Sequence, residues 1–275
     1  NRQGIPTNNL GASPVPHLDV HGQTSMDTAT SWGIDHEPIP FHYRTDQRGF
    51  RNPDDQDEAD VYLLGDSIVV GALVPFEQTM TGLLRERLGR PVMNVALIAV
   101  GPEQEHEFFR KAELPLAGRL VLQFVFEGND LLDTASFRAR QAGTEPPPLP
   151  LRQRSFSYNL MLVTQRWSQP LVGLARRQSC TIDGQLHTFA WVANSYRGVE
   201  DQIAPMLAAL AVFAREVEAQ AGRYAVVFVP SKLRVLRNVC VWPAQTTLGN
   251  PEHIGPLRDA ILAWGAESGV SVVDL

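Results

Sequence analysis

Short apolar runs alternate along this chain with longer stretches in which apolar positions recur every three or four residues. The run VYLL at 61–64, bounded by an acidic loop and a glycine, has the length and flanks of a buried strand. In EQTMTGLLRERLG (77–89), Met80, Leu83, Leu84 and Leu88 fall at helical spacing and Gly89 supplies a stop. PVMNVALI (91–98) predicts a second strand. GPEQEHEFFRKAE (101–113) predicts a helix, with Pro102 in its first turn and acidic residues where the helix dipole favours them. RLVLQFVF (119–126) is apolar on both faces and predicts a third strand. A long amphipathic helix over 201–220, a strand at RYAVVFVP (223–230), a helix over 255–269 and a strand at VSVVDL (270–275) complete the series.

Strands that are apolar throughout, alternating with helices, predict a parallel sheet covered on both faces. The expected fold is therefore α/β, a three-layer α/β/α sandwich around a five-stranded parallel sheet of flavodoxin-like type. Ligands bind such sheets beyond the carboxyl ends of their strands. Two segments stand outside the pattern. Residues 1–55, rich in Pro, Gly, Asn and Thr, read as an extended N-terminal arm ending in YRTDQRGFRNP (43–53), and the acidic stretch DDQDEAD (54–60) reads as a solvated link. Within the α/β domain at 56–275, regularity breaks from about 134 to 198, an insertion or lid-like excursion. Its aromatics Phe137, Phe156, Tyr158, Trp167, Trp191 and Tyr196 read either as flat surfaces that stack on sugars or as a small satellite core.

With 275 residues, 44% of them hydrophobic and 20% charged, the chain has ample material for a sizeable core. A net charge of −6 and the absence of any Lys/Arg-rich run argue against a nucleic-acid partner. No apolar stretch has the length of a bilayer span. The chain opens at Asn1 rather than Met, so the reading expects the natural start upstream, together with any signal peptide or membrane anchor. Cys180 and Cys240 are too few for a disulfide framework; they form one bridge or stay two thiols. No Cys or His pair has zinc-ligand spacing, and no metal is expected.

Candidate chemistry sits at the expected strand ends. Ser67 follows the first strand in the turn Gly65-Asp66-Ser67, where an exposed hydroxyl beside free backbone N–H groups suits an acyl-transfer nucleophile. The same residues also suit a plain turn with a helix cap. Gly101 follows the second strand, either as a loop punctuator or as a point of close approach to its N–H. Asn129, in EGND after the third strand, offers a side-chain N–H to a developing negative charge, or forms a turn.

GDSIVVG (65–71), Gly101 after the second strand and GND (128–130) after the third resemble, in order, the first three sequence blocks of the SGNH (GDSL-type) hydrolase superfamily. VPSKLRV (229–235) and YRTDQRGFRN (43–52) are similar to segments of some bacterial members, and similar bacterial proteins often add or remove O-acetyl groups on carbohydrates. The resemblance implies that Ser67 is the nucleophile. It implies that the Ser67 N–H, the Gly101 N–H and the Asn129 side chain form an oxyanion hole, and that Asp66 supports the turn. It implies no cofactor, a small-molecule or polysaccharide ester as substrate, and a periplasmic or secreted location.

The family's fourth block, an Asp and a His separated by two residues after the fifth strand, has no counterpart before Leu275, and the reading expects a truncated C-terminus. His253, in NPEHIGP, is the substitute base, though the loop before the last helix belongs to the opposite edge of the sheet. His106, on the helix after Gly101, is expected at the surface. Lys232 follows the fourth strand and reads as a contact for an anionic group or as a solvated loop lysine. The expected activity is a serine-dependent ester hydrolase or acyltransferase. The alternative from another class is an inactive relative binding a polysaccharide or a protein. A third reading, an unrelated flavodoxin-like domain, lacks a phosphate-cradling glycine loop after the first strand.

Overall fold

A computed structural model describes residues 14–24, 39–72, 74–144, 179–189, 199–244, 246 and 254–275. Its elements, in chain order, are β1 (Asp19–Thr24), β2 (Ile39–Arg44), β3 (Val61–Leu64), α1 (Ser67–Val70), α2 (Met80–Leu88), β4 (Val92–Asn94), α3 (Pro102–Lys111), β5 (Leu120–Phe126) and α4 (Asp130–Gln141). Then come β6 (Ser179–Ile182), β7 (Gln185–Thr188), α5 (Ile203–Ala219), β8 (Arg223–Val229), α6 (Lys232–Leu236), α7 (Leu257–Ser268) and β9 (Ser271–Asp274).

Five strands form one parallel sheet in the order β4-β3-β5-β8-β9. Numbered by their place in the chain, these strands stand 2-1-3-4-5, the flavodoxin-like order. The expected α/β sandwich is present. Strands β3, β4, β5 and β8 divide their side chains between two cores, whereas β9, at the edge, packs only Val272 against the first. Tyr62, Leu64, Met93, Val121, Val125, Val226 and Phe228 face α3, α5 and α7. Val61, Leu63, Val92, Phe124 and Val227 face α1 and α2. Burial on both faces explains why the strands are apolar throughout rather than alternating.

The second strand is shorter than the apolar run that predicted it. Regular pairing ends at Asn94, yet Val95 N still donates to Leu63 O at 2.8 Å and Leu97 N to Gly65 O at 3.1 Å. The run satisfies its backbone against β3 while bending away from a regular ladder.

The segment read as an extended arm contributes an antiparallel β1–β2 hairpin. Phe41 and Tyr43 point inward and join the core under α1 and α2, so this hairpin fills part of the second covering layer. Residues 46–52 go deeper. Arg51 is 1% exposed, and its guanidinium donates to the carbonyls of Val70, Gly71 and Val74, the last at 2.7 Å. Asn52 Nδ2 donates to Asp46 Oδ2 at 2.8 Å and to Asn94 O at 2.9 Å. Asn94 Nδ2 in turn donates to Val69 O at 3.0 Å.

In the region of irregular sequence, α4 carries helix on to Gln141, and β6–β7 form a separate antiparallel hairpin. A disulfide between Cys180 and Cys240 joins that hairpin to the chain after α6, settling the open alternative for the two cysteines. Cys180, Phe189 and Leu233 form a small satellite core there, with Trp242 packed against it. Of the six aromatics named above, Phe137 lies on α4 and the other five lie outside the described residues.

Candidate functional site

The chain leaves β3 and β5, adjacent strands, at the topological switch point of this order, where an open α/β sheet forms its crevice. After β3 the backbone turns sharply through Gly65. A Cβ at that position would lie 2.4 Å from Val69 Cγ2, closer than real contacts, so the turn that presents Ser67 requires glycine. Asp66 caps α1: its Oδ1 accepts from Ile68 N at 2.9 Å. Ser67, the first residue of α1, is exposed, and its Oγ lies 3.5 Å from Asp66 Oδ2.

Gly101 sits at the start of α3 with φ −102° and ψ 172°, ordinary extended backbone. Its angles are open to any residue, and what holds the position to glycine is space. A Cβ at Gly101 would lie 2.8 Å from Thr134 Oγ1, 2.9 Å from Thr134 N and 3.1 Å from Asp130 O. The first turn of α4 therefore packs directly on Gly101. Among the described residues, neither the Ser67 N–H nor the Gly101 N–H has an acceptor.

Asn129, the residue before α4, completes the convergence. Its amide donates to Asp133 Oδ2 at 2.5 Å, one helical turn on, and its influence favours the charged form of the Asp66 carboxyl. Asp66 thus lies beside the serine and within the influence of the asparagine. Asn129 and Gly101 are in turn brought together by the first turn of α4. Ala99, between β4 and Gly101, adopts φ 59°, a left-handed conformation that costs energy for a residue with a Cβ.

Beneath this convergence lies a buried polar layer that the sequence pattern did not announce. Burial raises the Asp66 pKa to about 6, opposed by the hydrogen bonds from Ile68 and Asn129. Glu105 and Asp130, fully enclosed, are pushed well above the ordinary carboxylate range, first by burial and then by the negative charges around them. Asp133 is raised by burial as well. Asp130 Oδ2 accepts from Phe126 N at 2.8 Å, and Glu105 Oε2 accepts from Gln123 Nε2 at 3.0 Å. The second oxygen of each has no hydrogen-bond partner among the described residues. Burial and the mutual repulsion of these carboxyls both favour the neutral form of the deepest two, Glu105 and Asp130.

His106 belongs to this layer, not to the surface as its helix position suggested. It is 2% exposed, its ring stacks on Phe213 at 4.0 Å, and its Nε2–H donates to Gln123 Oε1 at 2.7 Å. Burial lowers its pKa to about 3, so it stays neutral. Gln123 Oε1 also accepts from the Tyr224 hydroxyl. The sequence did not settle this: α3 sets Glu103, Glu107 and Arg110 in a polar stripe at i, i+4 and i+7, and His106 borders it, three residues before buried Phe109.

Lys232 opens α6 beyond the carboxyl end of β8, with its ammonium 5.4 Å from the Phe189 ring centre. In the sheet order, β5 stands between β8 and β3, so Lys232 is placed at the same edge but two strands from Ser67. Ser231 and Arg234 beside it are bound to buried Glu127, where Ser231 Oγ donates to Glu127 Oε2 at 2.8 Å and Arg234 Nε to Glu127 Oε1 at 2.8 Å. This network joins the loop after β5 to the loop after β8. His253 lies outside the described residues. No helix among the described residues is long and apolar enough to cross a membrane. In comparison with known proteins, no family model matches this chain, and no curated protein matches it significantly.

Proposed function

We propose that the chain is a serine-dependent ester hydrolase or acyltransferase of the SGNH type, acting on O-acyl groups of a carbohydrate. The observation that carries the reading is the convergence of three strand-end loops: Ser67 Oγ lies 3.5 Å from Asp66 Oδ2, Asn129 favours the charged form of that same carboxyl, and the helix that Asn129 precedes packs on Gly101. In this reading Ser67 Oγ attacks the ester carbonyl carbon, and the carbonyl oxygen takes up the electron pair. The N–H groups of Ser67 and Gly101 and the Asn129 amide stabilise that oxyanion. Collapse of the intermediate breaks the bond to the sugar oxygen, which leaves as a hydroxyl carrying the proton that Ser67 Oγ gave up, and the acyl group remains on Ser67. Water or a second sugar hydroxyl then accepts it. The Cys180–Cys240 disulfide supports an oxidising, extracytoplasmic setting.

A second reading has one observation in its favour. Among the described residues no imidazole is hydrogen-bonded to Ser67, whose Oγ has Asp66 as its side-chain partner at 3.5 Å. A serine without a base is a poor nucleophile at its ordinary pKa, and such a domain would bind a polysaccharide or protein without turnover. Mixing the protein with a chromogenic acetyl ester separates the two. The enzyme gives a burst equal to the enzyme concentration, which is absent in Ser67→Ala, together with an acetyl mass increment on Ser67. Equal hydrolysis by both proteins, over a range of esters, eliminates the enzymatic reading.

A further inference from the structure

We propose that the outer face of the β1–β2 hairpin is a binding site for a divalent transition-metal ion of the zinc class, with Asp19, His21 and His42 as ligands. The site is separate from the Ser67 chemistry and does not rest on it. In the antiparallel register His21 stands directly opposite His42, and Asp19 lies two residues before His21 on the same side. The alternation fixes the facing: Phe41 and Tyr43 go into the core, so His42 between them projects outward.

The three side chains are already drawn together. The imidazole rings stack with centres 3.8 Å apart and planes 17° from parallel. Both Nε2 atoms approach one oxygen, Asp19 Oδ1, at 2.8 Å from His42 and 3.5 Å from His21. One potential ligand atom from each residue lies within 4.8 Å of those of the other two. Tetrahedral zinc, with bonds near 2.0–2.1 Å, needs its ligand atoms about 3.3 Å apart. Rotation of exposed side chains closes that gap without moving the strands.

The donor set selects the ion. Two imidazoles and one carboxylate oxygen suit zinc, copper or nickel, whereas magnesium and calcium prefer sites built from oxygens alone. Arg44 Nε lies 3.4 Å from the other oxygen, Asp19 Oδ2, which leaves Oδ1 turned towards the two rings. Three protein ligands leave a fourth position open to water or an anion. A two-stranded hairpin is marginal in isolation, and an ion shared between β1 and β2 cross-links it.

Titration of the tag-free full chain with zinc, followed by calorimetry and by histidine ring NMR, tests the site. One equivalent is expected, shifting His21 and His42 resonances and leaving His187 in place. His21→Ala and His42→Ala should each weaken binding at least about tenfold with unchanged circular dichroism; His187→Ala should not, and excess magnesium should not compete. Absence of saturable binding, or equal affinity in the His21→Ala/His42→Ala double variant, overturns the proposal and leaves the cluster a surface ion pair only.

Discussion

The Asn129 amide is anchored on Asp133, 2.5 Å from its Oδ2 and one turn further along α4. This bond fixes which way the amide faces, and it does so from the helix that also packs on Gly101. If Asn129 is an oxyanion donor, Asp133 acts through it as a positioning residue. Asn129→Ala is expected to lower kcat by about 10²–10³-fold with acetyl esters. Asp133→Ala should lower kcat with little change in KM, and Asp133→Asn, which still presents an acceptor oxygen, should recover most of the loss. A KM effect without a kcat effect in Asp133→Ala would mean that the residue does not orient a donor.

The buried carboxyls give stability a definite pH dependence. Asp66 is raised from 3.8 to about 6 by burial, so between those values the folded protein holds a proton that the unfolded chain releases. Stability from this group is fully present below the unfolded value and is lost as pH rises towards and beyond 6. Glu105 and Asp130 are displaced in the same direction. Asp54, lowered where it meets Arg85, acts oppositely at the acid end. His106, lowered to about 3 by burial, opposes these carboxyls between pH 5 and 8, because the unfolded chain takes up a proton there that the folded protein refuses. The Asp66 share is therefore read by difference: Asp66→Asn keeps the helix cap, and urea unfolding of the variant should lose about 1.4 kcal/mol at pH 5 relative to pH 8, compared with the wild type. An unchanged difference between the two pH values in that variant would show that Asp66 titrates normally.

Much of this architecture could be read from one sequence because burial writes a plain signal. Strands covered on both faces leave runs such as VYLL and RLVLQFVF, and a helix such as Ile203–Ala219 leaves Met206, Leu210, Phe213 and Val217 at helical spacing. Ser67 and Asn129 stood out as candidates because each is a polar residue just past the end of a strand, and Gly101 because it opens a helix at the same edge. What stayed hidden is long-range and polar. Nothing local marks Arg51 as buried, since its partners are carbonyls from Val70 onward, contributed by a turn that forms on the other side of β3. Glu105 at the head of a helix reads equally as a solvated dipole partner, and only the neighbouring strand, through Gln123, determines that it faces inward. His106 misled for the same reason.

The disulfide predicts where reduction will act. Cys180 and Cys240 are separated by 60 residues, and closing a loop of that size stabilises by about 4 kcal/mol in the chain-entropy model. The satellite core it serves is small and separate from the two sheet cores. Reduction, or Cys180→Ser with Cys240→Ser, should loosen the β6–β7 hairpin and α6 before the central sheet. Hydrogen exchange should quicken at Thr181 and Val241, whose backbones pair across this junction, and stay slow at Val121 and Val226. Uniform acceleration throughout the chain would show that the bridge supports the whole fold instead.

Arg51 offers the strongest test of how the sheet holds the candidate nucleophile. Helix α1 is one turn long, too short to be stable on its own. Asp66 fixes its start, and at its end the Arg51 guanidinium collects the carbonyls of Val70, Gly71 and Val74. Val70 is buried, whereas Gly71 O keeps a donor in Val74 N and Val74 is only partly covered; one buried carbonyl left without a donor costs about 1–3 kcal/mol, and Arg51→Met should destabilise by about that much despite its similar bulk. Lysine carries the charge but not the planar fork that spans separate acceptors, and Arg51→Lys should recover only part of the loss. Both variants should lower any esterase activity beyond what the unfolded fraction explains, because the turn bearing Ser67 loses its far anchor. Urea midpoints and ester turnover at a temperature where each variant is fully folded measure the two effects separately. Full activity per folded molecule in Arg51→Met would mean that Asp66 alone aligns the serine.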